Sequence, residues 1–250
     1  MKGPVALLRN SIDVFLQNPK LYVGIYLVPG ILTLIFTLFT DYQNELALAM
    51  PLEATLMVIL WIVVMVAGIL MGIAMIQAVM NPAMSIGDAY RSAKPFFWRY
   101  VLLSLMIGLV VLGGLILLVI PGIIFLVWFS FSYYVLIEEG ISGVDAMKRS
   151  KALVSGKWFA VFGRLAVIFI AGIVVGSVFS VLTGMVDQIL GVTLISIIGM
   201  LANAVVAPVS VAYLYLLYKE LKQGPVLSET MTQPEPSGYG SSAPDANAAY

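Results

Sequence analysis

Apolar residues in this chain come in long unbroken runs rather than alternating with polar ones. The runs are Leu21–Thr40, Thr55–Met80, Tyr100–Ile120, Ile123–Ile137, Phe159–Gly184 and Val192–Leu217. A helix that crosses a bilayer needs about 20 such residues, so each run predicts one span. The third and fourth runs are nearly continuous and together too long for a single helix. Pro121-Gly122 separates them, a dipeptide that signals a turn and breaks helices. A tight helical hairpin is expected there, with a fourth helix of about 22 Å at 1.5 Å per residue. The first run exceeds the apolar core of a cleavable signal, and no small-residue cleavage pattern follows it, so it reads as a span.

Three of the polar segments that precede span pairs look alike. Residues 5–18 read VALLRNSIDVFLQN, residues 85–100 SIGDAYRSAKPFFWRY and residues 142–159 SGVDAMKRSKALVSGKWF. Helical periodicity puts Val5, Leu8, Ile12 and Phe15 on one face of the first. It puts Val144, Met147, Val154 and Trp158 on one face of the third. The chain therefore reads as three loosely repeated units, each an amphipathic helix followed by a helical hairpin. The amphipathic helices, about 5–18, 85–98 and 142–157, are expected in the membrane interface. Trp98, Tyr100, Trp158 and Phe159 would lie at headgroup level.

Composition places the chain in its class. Hydrophobic residues make up 61% and charged residues 10%, against about 45–50% and 25% in soluble domains. Thirteen Lys and Arg balance thirteen Asp and Glu, so the net charge gives no reason to expect a nucleic-acid partner. Their placement is more informative. In a six-span arrangement every basic residue falls on one side, and only Asp41, Glu45, Glu53 and Asp187 lie on the other. The positive-inside rule then predicts both termini in the cytoplasm. The expectation is an all-α integral membrane protein of the prokaryotic plasma membrane. Residues 1–222 form six transmembrane helices in hairpin pairs with amphipathic helices on the cytoplasmic side, and residues 223–250 a disordered cytoplasmic tail.

Residue types exclude much chemistry. The absence of Cys removes disulfides, thiolate metal sites and cysteine nucleophiles, and the absence of His removes most general-base and metal chemistry. No phosphate-binding glycine loop occurs, and no Asp or Glu lies at mid-membrane depth. The expectation is a protein that is not an enzyme and has no cofactor and no metal. Gln77 and Asn203, with the kink at Pro208, are the candidates for a substrate-facing discontinuity; ordinary interhelical bonding and a tolerated proline are the plainer alternative. Gly68 and Gly72 in the second span, and Gly172, Gly176, Ser180 and Gly184 in the fifth, form small-residue grooves for packing within the bundle or for a homodimer. Arg91, Lys94, Arg99, Lys148, Arg149, Lys151 and Lys157 are candidate contacts to anionic lipid or to a protein partner, each drawing anionic lipid by about 1 kcal/mol. Asp145 and Arg149 are spaced as an i,i+4 pair. Glu138 and Glu139 are expected to pair with Lys148, Arg149 or Arg91 rather than to hold a metal.

The stretch from Ile120 to Arg164 carries a recognisable pattern. Pro121-Gly122 is followed by the acidic end of the fourth span at Glu138 and Glu139. Then come an A-x-x-R-S segment (Ala146, Arg149, Ser150) and finally Gly156 and Trp158 entering the fifth span. It resembles a prokaryotic family of six-span proteins of unknown function, similar to the membrane domain of glycerophosphodiester phosphodiesterase. In the fused members the phosphodiester chemistry resides in a separate soluble barrel, so the resemblance implies a link to lipid metabolism and no catalytic residue. The expected role is a scaffold or accessory in lipid or envelope homeostasis. The alternative is a facilitator or exporter of a lipid-like or apolar solute.

Overall fold

The computed structural model describes residues 3–46 and 51–223, without the side chains of residues 41–46, 51–54 and 182–193. Among the described residues there is no strand, and six helical stretches are long and apolar enough to cross a membrane. They are Pro19–Thr40, Thr55–Met80, Ile86–Leu117, Val119–Glu139, Trp158–Val181 and Leu194–Gln223. The chain is an all-α, multi-pass protein of six spans. The tail beyond Gln223 and the side chains of Asp41, Glu45, Glu53 and Asp187 lie outside the described residues.

Prolines and short polar side chains set the helix starts. Asn18 separates α1 (Pro4–Gln17) from α2 (Pro19–Leu46). Its carboxamide oxygen accepts from the Leu21 N–H (3.3 Å), and its Nδ2 donates to the Pro82 carbonyl (3.0 Å). One side chain thus caps α2 and ties it to the loop after α3 (Pro51–Met80). Ser85 opens α4 (Ile86–Ala93) by accepting from the Asp88 N–H while donating to the Asp88 carboxylate, a reciprocal cap. A 3₁₀ turn at Lys94–Phe96 leads into α5 (Phe97–Leu117).

The hairpin that follows turns three residues earlier than Pro121-Gly122 predicts. Leu118 is extended (φ −162°, ψ 144°), and α6 (Val119–Phe129) begins directly after it. Pro121 sits inside the first turn of α6, where its missing N–H breaks no helical bond. Gly122 lies against α5, with its Cα packed close to Gly114. Beyond α6 the chain passes through a single turn, α7 (Ser132–Tyr134), into a π-helical segment at Val135–Glu139. Gly140 closes that segment in the left-handed region (φ 71°). α8 (Gly143–Val154) precedes α9 (Trp158–Gln223).

α9 doubles back on itself, and its two arms are the spans Trp158–Val181 and Leu194–Gln223. The Tyr213 hydroxyl donates to the Arg164 carbonyl (3.1 Å), and Gly199 packs against the Phe179 ring. Residues 49 apart on a straight helix would be separated by about 73 Å. The reversal therefore falls between Phe179 and Gly199.

Burial gathers where the basic segments lie. One core joins Phe131, Tyr134, Leu136, Met147, Val154, Tyr213, Leu217 and Tyr218. The adjoining core joins Phe15, Tyr22, Ile25, Ile73, Met75, Ala89 and Ala93. The last turns of α9 contribute to both. Large apolar side chains along Leu109–Ile120, Phe169–Val181 and Leu194–Val205 instead point outward. In lipid this carries no penalty, because hydrocarbon is as apolar as leucine.

Each of α1 and α8 buries one face against protein and leaves another exposed. α1 buries Leu7, Ser11 and Phe15 and turns Val5 (77% exposed) and Ile12 outward. α8 buries Ala146, Met147, Ser150, Leu153 and Val154, leaving Val144 exposed. Both helices pack on protein, and the small residues within the contact let backbones approach. Of the expected belt aromatics, Trp98 and Phe159 protrude, whereas Tyr100 stacks on Tyr133 (4.6 Å) and Trp158 on Phe162 (5.1 Å).

Candidate functional site

The π-helical segment ends in Glu138 and Glu139, and two elements converge on them. Arg149 of α8 pairs with Glu139 (3.1 Å), while Lys222 of α9 reaches Glu138 (2.8 Å) and Glu139 (3.3 Å). Lys219 lies 4.0 Å from Glu138, and the Tyr218 hydroxyl donates to Glu139 (2.8 Å). Tyr218 is itself fully buried, stacked with Tyr134 and Tyr215. The carboxylates are mostly covered, at 21% and 13% exposed, so these contacts are screened less than surface pairs. The second oxygen of Glu138 is buried without a hydrogen-bond partner among the described residues. An α-helical register over Val135–Glu139 would rotate these carboxyls differently; π segments commonly re-aim side chains at working sites.

Of the expected acid partners, only Arg149 pairs with this carboxylate pair. Lys148 pairs with Asp145 (3.6 Å) and Arg91 with Asp88 (3.2 Å), both on the surface of their own helices. The i,i+4 pairing of Asp145 with Arg149 is thus replaced by the neighbouring i,i+3 pair, because Arg149 is drawn to the more buried Glu139. Lys219, Lys222 and Tyr218 were not among the sequence candidates. Their signal is the run Tyr213-x-Tyr-x-x-Tyr-Lys-x-x-Lys closing the sixth span, in which Tyr215, Tyr218, Lys219 and Lys222 fall on one side of a helix.

The remaining motif residues hold the same region together. Ser150 is fully buried; its hydroxyl donates to the Trp128 carbonyl (2.6 Å) and accepts from the Phe131 N–H (3.2 Å). It thereby satisfies both backbone groups freed where α6 breaks before α7. Gly156 takes φ 77° between α8 and α9. Together with Ser155, Trp158 and Phe159 it faces Ile120, Ile123, Ile124 and Trp128 of α6 across an open, almost wholly apolar groove of about 570 Å³. Lys151 lies over the Trp128 ring, 4.2 Å from its centroid.

The three intramembrane candidates are not brought together. Gln77 is engaged by α4: its Nε2 donates to the Ser92 carbonyl (3.2 Å) and its oxygen accepts from the Ser92 hydroxyl. Pro208 is buried within α9. Asn203 is exposed, donates to Gly199 of its own helix (3.0 Å), and lines a small cleft of about 150 Å³ with Tyr26, Thr33, Thr37, Ser196 and Met200. The small-residue grooves also stay open in the monomer. A Cβ on Gly68, Gly172 or Gly176 would meet nothing within 4 Å, and Gly72 approaches only the Tyr100 hydroxyl (3.5 Å). Ser180 is exposed, and Gly184 falls where side-chain surroundings are not described. Close helix approach uses Gly114 and Gly122 instead. Arg91, Lys94, Arg99, Lys148 and Lys151 are exposed, and Lys157 is half-buried.

No protein-family model, curated protein or solved structure matches the chain.

Proposed function

We propose that this protein is a non-enzymatic scaffold or accessory component of lipid or envelope homeostasis. In this reading it resides in the prokaryotic plasma membrane with both termini in the cytoplasm, and its kinship is with the glycerophosphodiester phosphodiesterase membrane domains. The observation that carries the proposal is the ionic cluster at Glu138 and Glu139. It spends the most buried charges on joining α8 to the end of α9, which makes one rigid face from which Lys148 and Lys151 project. Polar side chains within the spans are likewise engaged locally: Thr33, Thr37, Ser104, Ser130 and Ser210 each bond a carbonyl of their own helix. Gentle extraction from the native membrane followed by native mass spectrometry tests the proposal. A retained second polypeptide or a defined lipid supports it; a protein carrying neither counts against it.

The cleft at Asn203 favours a second reading, a facilitator or exporter of a lipid-like or apolar solute. On that reading Asn203→Leu abolishes flux in proteoliposomes, whereas Gln77→Leu leaves flux intact and lowers stability by about 1 kcal/mol through its lost bonds to Ser92. Equal flux in wild type and Asn203→Leu sinks the facilitator.

A further inference from the structure

We infer that the groove between α6 and the α8–α9 junction binds an anionic phospholipid, with an acyl chain along α6 and the phosphate between Lys151 and Lys157. This rests on the lipid association in the proposed function and names its chemistry. The groove volume of about 570 Å³ falls within the roughly 300–1,000 Å³ of ligand clefts. Ile120, Ile123, Ile124 and Trp128 recur at helical spacing along one face of α6, a stripe about 12 Å long. An apolar groove facing a bilayer fills with hydrocarbon whatever the headgroup, so headgroup charge is the informative part.

Charge is distributed unevenly around this groove. No acidic residue lines it. Asp145 of α8 and Glu139 at the end of the π segment are already paired, Asp145 with Lys148 and Glu139 with Arg149 and Lys222. Lys151, held against the Trp128 wall, and Lys157, placed in the chain between the lining residues Gly156 and Trp158, have no carboxylate within 4.0 Å among the described residues. The indole N–H of Trp158, another lining residue, is buried without an acceptor among the described residues. Two uncompensated cations at the rim of an apolar groove complement a phosphate on a hydrocarbon chain, and each adds about fivefold to the preference for a charged headgroup.

The test uses the full chain with Trp61→Phe and Trp98→Phe, two exposed positions, so that emission comes from Trp128 and Trp158. In nanodiscs of phosphatidylcholine, brominated phosphatidylglycerol should quench at mole fractions well below those needed of brominated phosphatidylcholine. Lys151→Gln with Lys157→Gln should erase that difference. Neither lysine makes an ion pair among the described residues, so the double variant is expected to fold. Equal quenching by the two lipids, or a preference that survives both substitutions, overturns the inference. So does protection from both lipids accompanied by a dimer cross-linked through Ile120→Cys, which assigns the groove to a second copy. Loss of headgroup preference leaves the scaffold reading standing if native mass spectrometry still retains a polypeptide.

Discussion

Gly122→Val is expected to eliminate most folded, monodisperse protein, whereas Gly172→Val should leave yield and melting temperature close to wild type. The sequence reads Gly122 as half of a turn and Gly172 as part of a small-residue groove, but in the structure each is a small residue in an apolar helix. Their surroundings differ. A Cβ at Gly122 would overlap the Leu115 side chain and come within 2.9 Å of the Leu115 backbone nitrogen. A Cβ at Gly114, on the other side of the contact, would stand 3.0 Å from the Gly122 Cα and 2.8 Å from the Phe125 ring. Rotamer changes cannot relieve a clash with backbone, so α5 and α6 would have to separate. Overpacking a core by a methyl group or two typically costs about 1–3 kcal/mol. Here the cost adds to the loss of helix contact itself, which in lipid rests on van der Waals packing rather than a hydrophobic drive. Gly122→Ala should be intermediate. Size-exclusion profiles and thermal melts of the three variants in one detergent decide the matter; similar behaviour of Gly122→Val and Gly172→Val would sink the assignment.

The spans were legible because membrane crossing imposes a length and an apolarity that neighbouring residues cannot disguise. What happens between and beside them was less so. Proline breaks helix interiors, so the sequence points to Pro121 as the turn; in a first turn it breaks nothing, and the chain bends at Leu118. Periodicity gives α1 and α8 an apolar face and turns it toward the membrane interface, without saying which residues meet protein. Beside a membrane both faces can be apolar, and the faces packed on protein mix small residues (Ser11, Ala146, Ser150) with large ones (Leu7, Phe15, Met147, Leu153). The same ambiguity affects Gly172 and Gly176: a four-residue period describes a groove and says nothing about what fills it. The ionic cluster was half visible. Glu138, Glu139 and Arg149 lie close in sequence, but Lys222 is 84 residues from Glu138, and only the return of α9 joins them.

Glu139→Ala is expected to destabilise the protein by about 2 kcal/mol, more than Glu139→Gln. Losing one partner of a fully buried ion pair costs about 3–5 kcal/mol. Arg149 and Lys222 keep 41% and 34% of their side chains exposed, so water partly compensates them and the figure is discounted accordingly. Tyr218 is not compensated: its ring is fully buried, and alanine leaves its hydroxyl without the carboxylate it donates to. Glutamine keeps an acceptor near that hydroxyl while removing the charge, which is why the two substitutions should separate. A double-mutant cycle of Glu139→Gln with Arg149→Met, read from thermal melts, should return a coupling of at least about 0.5 kcal/mol, as contacting residues do. Equal stability of Glu139→Ala and Glu139→Gln would show that the Tyr218 bond contributes nothing. A coupling of zero would mean that α8 is held by Ser150 and packing alone. The result also governs tests of lipid binding: neutralising Arg149 along with Lys148 and Lys151 would unlatch α8 from α9, so a fall in lipid association in such a triple variant would report unfolding as readily as lost charge.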